Sequence, residues 1–327
     1  MTEKHGKSKR VLTRILNEPQ ENIMRLIRAI QELTGRKLIL YVANFTHPLG
    51  GIHLSDVLPF EEILRTTDSP SVDFLLNSPG GEINATEKLV TMLRKTFDNI
   101  RVIVPNRAKS AATMIALASD QVIMGYLSEL GPIDSQILVP NPDGTIRLIP
   151  AQSVIDGIEL LGSRIAKAKK EGTPLEHYVS MAYRVDPSLW DLAIKAQELS
   201  SQFAQKWLTK FMCKGDEKLA EEITSKFMDV TKFLSHGRMI STEDAKGILP
   251  KDAVIELGRD DPLWNIIWEL YVRLETRLNF ERVVKAFGNE TGIFTIGAVG
   301  PQPRPRSPPR QQPTPRQPQQ PQRSPPK

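Results

Sequence analysis

The chain has 327 residues, 40% of them hydrophobic, which is enough for a large single domain or two smaller ones with a sizeable core. Its net charge is +5, but residues 301–327 carry five Arg, one Lys and no acid, so the rest of the chain stands at −1. The basic balance therefore belongs to the tail and gives no support for a nucleic-acid-binding core. The one cysteine, Cys213, excludes an intrachain disulfide and a cysteine-rich metal site, and fits a reducing cytosol.

The sequence shows no segment that predicts membrane insertion. Residues 1–36 are charged throughout, which is untypical of a signal peptide. The most apolar run, Ala111–Met124, is too short to span a bilayer and contains Asp120. We therefore expect a soluble, cytoplasmic chain without a transmembrane segment, and a membrane partner stays open.

The first half of the chain alternates strand and helix patterns after a flexible basic N-terminus at residues 1–10. Residues 11–35 predict one or two amphipathic helices interrupted at Pro19. Strands are then predicted at Lys37–Asn44, Val72–Leu76, Arg101–Val104 and Gln121–Met124, and helices at Phe60–Arg65, Ala85–Phe97 and Ser110–Ser119. Such alternation indicates a largely parallel sheet, and the continuous apolar strands indicate helices on both faces.

The second half, from about Ala151, reads as mostly helical. The predicted helices are Ala151–Lys170, Leu175–Met181, Pro187–Met212, Glu217–Asp229 and Asp260–Phe287. The last one carries an apolar stripe at Trp264, Trp268 and Tyr271, which is typical of a core or of a subunit interface. We expect one domain over residues 11–297, with its α/β part extending to about residue 150.

Residues 298–327 consist of prolines separated by Gln, Arg and Ser, a composition that cannot bury a core. We expect this tail to be disordered. The PxxP spacings at Pro305–Pro308 and Pro315–Pro318 leave open a second interpretation, a polyproline ligand for a proline-recognising partner.

Two motifs follow predicted strands and open into helices. The first, Asn77–Glu82, contains Pro79-Gly80-Gly81, and its glycines allow unusual backbone angles and close approach of a substrate. Backbone N–H groups in such a turn could stabilise an oxyanion. Considered alone, the motif fits an ordinary tight strand-to-helix connection better than an oxyanion loop.

The second motif, Ala108–Met114, places Ser110 at a sharp turn before the small residues Ala111 and Ala112. Its hydroxyl would be exposed at a helix N-terminus, with the Ala111 N–H directed at a developing negative charge. The simpler alternative is that Ser110 is a helix N-cap.

The order and spacing of these motifs resemble the serine dehydrogenase proteinase family of the Clp protease/crotonase superfamily, which is related to SppA-type signal peptide peptidases. The resemblance also includes Leu130–Gln136, Ile149–Ile155 and, more weakly, Leu234–Ile248, and covers roughly residues 20–285. It implies a layered Clp/crotonase-like α/β fold, a peptide or protein substrate and a homo-oligomer.

The resemblance also assigns roles in a serine peptidase that works through an acyl-enzyme. It makes Ser110 the nucleophile and the N–H groups of Gly81 and Ala111 the oxyanion hole. A serine hydroxyl also needs a base. Of the five histidines (His5, His47, His53, His177 and His236), we favour His236, which precedes Gly237 in a loop and matches a histidine region of the family.

Related peptidases use a serine–lysine dyad instead, which keeps lysines open as the base. The chain offers Lys167, Lys169 and Lys170 in a charged helical segment, and Lys109 beside Ser110. A lysine base must be desolvated to lose its proton near neutral pH, which the charged segment does not favour.

For the acid we favour Asp134 in the Leu130–Asp134 motif, with Asp73 inside an apolar strand as the alternative. No metal-binding motif and no phosphate loop are present, so we expect neither metal nor cofactor. Two alternatives to a peptidase stay open: a catalytically inactive scaffold of the same fold that recruits partners through its tail, and a crotonase-type acyl-CoA enzyme.

Overall fold

The computed structural model describes residues 22–141, 143–229 and 235–297. The expectations for the N-terminal residues 1–21 and for the tail at 298–327 lie outside these described residues and stay predictions. In chain order the elements are α1 (Asn22–Thr34), β1 (Lys37–Ala43), α2 (Val57–Arg65), β2 (Ser71–Asn77), α3 (Ile83–Thr96), β3 (Asn99–Val104), β4 (Arg107–Ala108), α4 (Ala111–Leu117), β5 (Gln121–Gly125), β6 (Glu129–Leu130), β7 (Gln136–Pro140), β8 (Ile146–Pro150), α5 (Ala151–Glu171), α6 (Glu176–Ala182), α7 (Pro187–Lys210), α8 (Glu217–Met228), α9 (Thr242–Ile248), β9 (Val254–Leu257), α10 (Pro262–Phe280), β10 (Val283–Asn289) and β11 (Gly292–Gly297).

The central element is a seven-stranded sheet in the order β11-β10-β1-β2-β3-β5-β9. The strands β1, β2, β3, β5 and β9 are parallel to one another. Strand β10 pairs antiparallel with β1, and β11 pairs antiparallel with β10. The predicted α/β class with a largely parallel sheet is confirmed. Because the carboxyl ends of parallel strands meet at one edge, the loops after β2 and β3 lie side by side there.

Helices cover both faces of the sheet, as the apolar strands predict. On one face, α2, α3 and α4 pack with α7 and α8 into the larger core cluster. On the other, α1 and α10 form the second cluster, which contains Trp264 and Tyr271. The aromatic stripe of α10 therefore belongs mainly to the core, with Trp264 only 2% exposed.

The predicted helix Asp260–Phe287 is wrong in its last part. Helix α10 ends at Phe280, and the chain then turns at Arg282, whose φ is 54°. Residues Val283–Asn289 form β10, a strand buried on both faces that pairs with β1 on one side and with the edge strand β11 on the other. A short, continuous apolar run cannot be assigned to helix or strand from periodicity alone, and tertiary pairing decided it here.

The second half is predominantly helical as predicted, but it also supplies the strands β9, β10 and β11. The sequence analysis missed these strands and, just before the second half, the antiparallel hairpin of β7 and β8. None of the described helices combines the length and apolar character needed to cross a membrane.

Candidate active site

Ser110 occupies a sharp turn between β4 and α4, where the sequence predicts it. Its backbone has φ 50° and ψ −120°, a conformation that L-residues rarely adopt and that costs about 1–3 kcal/mol. Ser110 lies at the N-cap position of α4, as the simpler alternative expects, but its side chain makes no capping hydrogen bond with the helix. Strained turns of this kind present a serine hydroxyl at the top of a sheet, where a substrate can reach it.

The glycine-rich loop after β2 packs directly against this turn. The Lys109 N–H donates to Ser78 O at 3.0 Å, and the Ser78 N–H donates to Arg107 O at 3.0 Å. Gly80 has φ 95°, and a Cβ there would lie 2.8 Å from the Ser110 Cβ, closer than side chains can approach. Only glycine therefore fits between the two segments.

Gly81 meets a second close neighbour on its other side. Its φ is 151°, and a Cβ there would lie 2.3 Å from the Ile52 N and O atoms. Ile52 donates to Gly80 O at 2.6 Å and accepts from the Glu82 N–H at 2.9 Å. These two bonds leave the Gly81 N–H directed away from residue 52.

The N–H groups of Gly81 and Ala111 have no acceptor within the part of the chain that the structure describes. The Ala111 N–H belongs to the first turn of α4, where the helix dipole favours negative charge. The side chains of Ala111 and Ala112 are buried in the larger core cluster. Two donors without acceptors thus lie in the adjoining glycine-rich loop and directly after the serine, and such donors are suited to holding an oxyanion.

The structure brings His236 and Asp134 together. The His236 Nδ1 atom lies 2.9 Å from Asp134 Oδ1, and the carboxylate is 1% exposed. Asp134 Oδ2 is buried without a hydrogen-bond partner among the described residues. A buried carboxylate with one partner holds an imidazole in a fixed orientation.

Helices of the second half position this aspartate. The Ile133 N–H donates to Phe227 O at the end of α8 at 3.0 Å, and the Ser135 hydroxyl donates to Ala196 O in α7 at 2.6 Å. The Ser135 N–H also donates to the side chain of Gln197 at 3.1 Å. The loop that carries Asp134 is therefore fixed on both sides by packed helices.

Ser110 stands apart from the His236–Asp134 pair. In the described residues the Ser110 hydroxyl makes no hydrogen bond with His236. The two segments are nevertheless neighbours at one edge of the sheet. Strand β4, which precedes Ser110, pairs with β6, and Leu130 in β6 exchanges two 3.0 Å backbone hydrogen bonds with Ile240, four residues after His236. Catalytic hydrogen bonds in free enzymes are often long and shorten when substrate binds.

The alternative site residues lie elsewhere. Asp73, near the start of β2, is paired with Arg36 and Arg101 at the amino ends of the strands, opposite to the Ser110 edge. The lysines of the charged segment lie on α5 in solvent, where Lys167 is 65% exposed and pairs with Glu171 at 3.8 Å. Neither position fits the environment that catalysis by Ser110 requires.

The other described histidines have separate partners. His53 caps a short helical turn through its Nδ1 atom, and its Nε2 atom lies 3.3 Å from Glu82. His47 accepts the Leu49 N–H, and His177 contacts the ring of Tyr178. None of these three makes a hydrogen bond with Ser110 among the described residues.

The sequence analysis missed a buried network beneath the glycine-rich loop. Lys285 Nζ donates to both oxygens of Asp56 at 2.8 Å, and the Tyr41 hydroxyl donates to Asp56 Oδ2 at 3.0 Å. Burial, together with the Asp56 charge, raises the pKa of Tyr41 well above its ordinary value. Asp56 also accepts the His53 N–H at 2.9 Å, so the network fixes the segment that pairs with Gly80 and Glu82. The signal was a lysine inside an apolar run, which the wrong helix assignment concealed.

Among the described residues, no group of three His, Cys, Asp or Glu side chains is arranged to hold a metal ion.

Two curated proteins, both uncharacterized and both from Methanocaldococcus jannaschii, are similar to this chain. One is 27% identical over 162 residues, which covers 44% of this chain and 50% of the relative. The other is 35% identical over 108 residues, covering 32% of this chain and 34% of the relative. The chain thus spans half or less of the length of these relatives.

Solved structures show weaker similarity. An alanine variant of the 1510-N membrane-bound stomatin-specific protease is 16% identical, with 65% of this chain and 76% of that chain covered and a TM-score of 0.37. A variant of ClpP1 from Listeria monocytogenes is 14% identical, with 71% and 98% covered and a TM-score of 0.35. These TM-scores are too low to assign a function or a site residue.

A family model identifies the part of the chain that carries the site. It matches residues 10–165 and describes ClpP-like SDH-type serine proteinases. The matched segment includes the glycine-rich loop, Ser110 and Asp134, whereas His236 lies beyond it. Residues 10–165, which carry the strained serine turn and most of the parallel sheet, are thus similar to ClpP-like SDH-type serine proteinases.

Proposed function

We propose that this protein is a serine peptidase that cleaves peptide bonds through an acyl-enzyme on Ser110. The Ser110 Oγ attacks the substrate carbonyl carbon, and His236 takes the hydroxyl proton. The N–H groups of Gly81 and Ala111 hold the oxyanion of the tetrahedral intermediate. Asp134 orients His236 and stabilises its protonated form.

The two half-reactions use the same groups in turn. Collapse of the first intermediate breaks the C–N bond, and His236 gives its proton to the departing amine. Water then attacks the acyl-enzyme while His236 takes a proton from it, and Ser110 leaves with that proton. Because Ser110 and His236 are not hydrogen-bonded in the described structure, substrate binding must shorten this separation.

One observation carries the proposal. Ser110 is held at φ 50° with a hydroxyl that caps nothing, near two N–H groups without acceptors. A structural serine gains nothing from this strain, whereas a nucleophile gains exposure and an adjacent oxyanion site. The observation favours an active enzyme over an inactive scaffold, and the family match favours a peptidase over an acyl-CoA enzyme.

A fluorophosphonate probe tests the assignment, since it reacts covalently with activated serines. We expect labelling of the native chain and none of Ser110→Ala. Ser180→Ala, on the exposed side of α6, serves as the matched control and should label like the native chain. Labelling that persists in Ser110→Ala, or a native chain that never labels, would contradict the proposal.

Exposed apolar side chains support the proposed homo-oligomer. On the β7–β8 hairpin, Leu138, Ile146 and Leu148 are 59–68% exposed, and Tyr183 after α6 is 88% exposed. Apolar surface of this extent marks an interaction site. We expect Ile146→Asp with Leu148→Asp to lower the mass measured by light scattering, and an unchanged mass would contradict the interface.

The remaining proposals concern the substrate and the cellular location. We propose a peptide or protein substrate, in line with the family description, and a cytoplasmic location, which the free buried thiol of Cys213 fits.

A further inference from the structure

We infer that Lys109 is a positioning residue that holds the loop carrying His236 against the turn of Ser110. The inference rests on the proposed function, because it assigns Lys109 a role in the geometry of that site. It also gives the lysine next to the nucleophile a role other than general base.

The contacts of the Lys109 ammonium group connect three segments. Its Nζ atom donates to Leu130 O at 3.0 Å and to Arg238 O at 3.3 Å, and lies 3.1 Å from Glu129 Oε1. Glu129 and Leu130 form β6, and Arg238 follows His236 by two residues. One side chain therefore links the Ser110 turn to the loop of the candidate base.

The Lys109 side chain follows an enclosed path. The Lys109 side chain is 12% exposed and passes over Gly131, where a Cβ would lie 2.7 Å from the Lys109 Cδ atom. A glycine at 131 is thus required for this path. The backbone of Lys109 is fixed as well, through its bond to Ser78 O.

The chemistry of the contacts excludes Lys109 as the base in this arrangement. An ammonium group has three protons, and here it faces two carbonyl oxygens and one carboxylate. Burial lowers the pKa of Lys109, and the Glu129 carboxylate acts in the opposite direction by favouring the charged form. A nitrogen whose protons are all directed at acceptors has no lone pair to offer Ser110.

The consequence concerns the separation between Ser110 and His236. The hydrogen bond from Lys109 to Arg238 is the described contact that ties this loop to the Ser110 turn. The Leu130–Ile240 pair also joins the two regions, but it lies beyond His236 in the chain. Without it, the contacts described for the loop at 235–239 are the His236–Asp134 hydrogen bond and the Leu130–Ile240 pair at its distal end, and neither of them reaches the Ser110 turn directly. Small displacements of a catalytic group are expensive, and a shift of about 1 Å can cost about a hundredfold in rate.

The test compares Lys109→Met, which keeps the aliphatic stem, with the native chain and with Lys109→Arg. We expect Lys109→Met to lower the maximal rate of fluorophosphonate labelling about tenfold to a hundredfold at an unchanged half-saturating probe concentration, with partial recovery in Lys109→Arg. Gly131→Ala keeps the charge but obstructs its path, and should show a similar loss. Lys37→Met, which breaks a Lys–Glu pair at the opposite end of the sheet, is the matched control and should label at the native rate.

A second readout does not depend on catalysis. In histidine-selective ¹⁵N NMR spectra, we expect the His236 Nδ1–H signal in the native chain and in Lys37→Met, and its broadening or loss in Lys109→Met and Gly131→Ala. A native labelling rate and a native His236 signal in both variants would overturn the inference. If the native chain does not label at all, the proposed function fails, and the His236 signal alone then decides whether Lys109 holds the loop.

Discussion

Two buried aspartates lie at opposite ends of the same sheet and differ in how completely they are paired. Asp73, at the amino ends, receives three charge-assisted hydrogen bonds, from Arg36 at 2.9 Å and from Arg101 at 2.7 Å twice. Asp134, at the carboxyl ends, has His236 as its partner, and its second oxygen has none among the described residues.

The difference supports the proposal that Asp73 is a structural acid and Asp134 a functional one. Asp73 uses both oxygens on fixed guanidinium groups, so it stabilises the sheet and has nothing left to offer a substrate. Asp134 is held by helices from a distant part of the chain, and its partner is the imidazole of a histidine, His236, rather than a permanently charged guanidinium. Incomplete pairing in a buried site costs stability, and it is tolerated where function requires it.

The largest effect should follow from neutralising the carboxyl-end aspartate. We expect Asp134→Asn to reduce the fluorophosphonate labelling rate about a thousandfold to ten-thousandfold, because the amide no longer orients His236 or stabilises its cation. Thermal unfolding should change little. Labelling within a few-fold of the native rate would remove Asp134 from the proposed site.

Neutralising the amino-end aspartate should act on stability instead. We expect Asp73→Asn to lower the free energy of unfolding by about 3 kcal/mol, because Arg36 and Arg101 lose a shared buried partner. Chemical denaturation measures the loss, and labelling of the folded fraction should stay near the native rate. A stable variant with impaired labelling would reverse the roles of the two aspartates.

Relief of the backbone strain at Ser110, at the carboxyl end of the sheet, should raise the free energy of unfolding by a smaller amount. Since glycine adopts φ 50° without penalty, Ser110→Gly should be more stable than Ser110→Ala by about 1–2 kcal/mol. Neither variant should label. Equal stability of the two, measured by denaturation, would mean that the Ser110 turn stores no strain.

The smallest effect concerns Glu275, another incompletely paired acid near this end. Burial raises its pKa, whereas a hydrogen bond with Asn279 and the charge of Arg107 oppose the shift, and its Oε2 atom has no partner among the described residues. The folded state then holds a proton that the unfolded state has lost, so this group reduces stability as pH rises through and above the ordinary pKa of a glutamate. We expect Glu275→Gln to gain stability relative to the native chain between pH 4 and pH 7, and a pH-independent difference would contradict the shift.

Local sequence determined the elements whose signals are local. Apolar, β-branched runs bounded by turn residues located β1, β2, β3 and β5 within a residue or two, and their alternation with helices determined the parallel sheet. The positions of Ser110 and of the glycine pair followed for the same reason, since sharp turns demand particular residues. The boundary between α10 and β10 did not follow, because apolar runs suit either state until a partner strand is present.

The sequence by itself therefore determined the fold class, the sharp turn at Ser110 and the glycine-rich loop. Only the tertiary structure decided which acid meets which histidine, with Asp134 and His236 joined across a hundred and two positions of chain. It also decided that Lys109 faces carbonyl oxygens and that Lys285 lies beneath the loop at Asp56. The physical reason is that turns and strands are specified by neighbouring residues, whereas a buried charge finds its partner only where packing brings distant segments together.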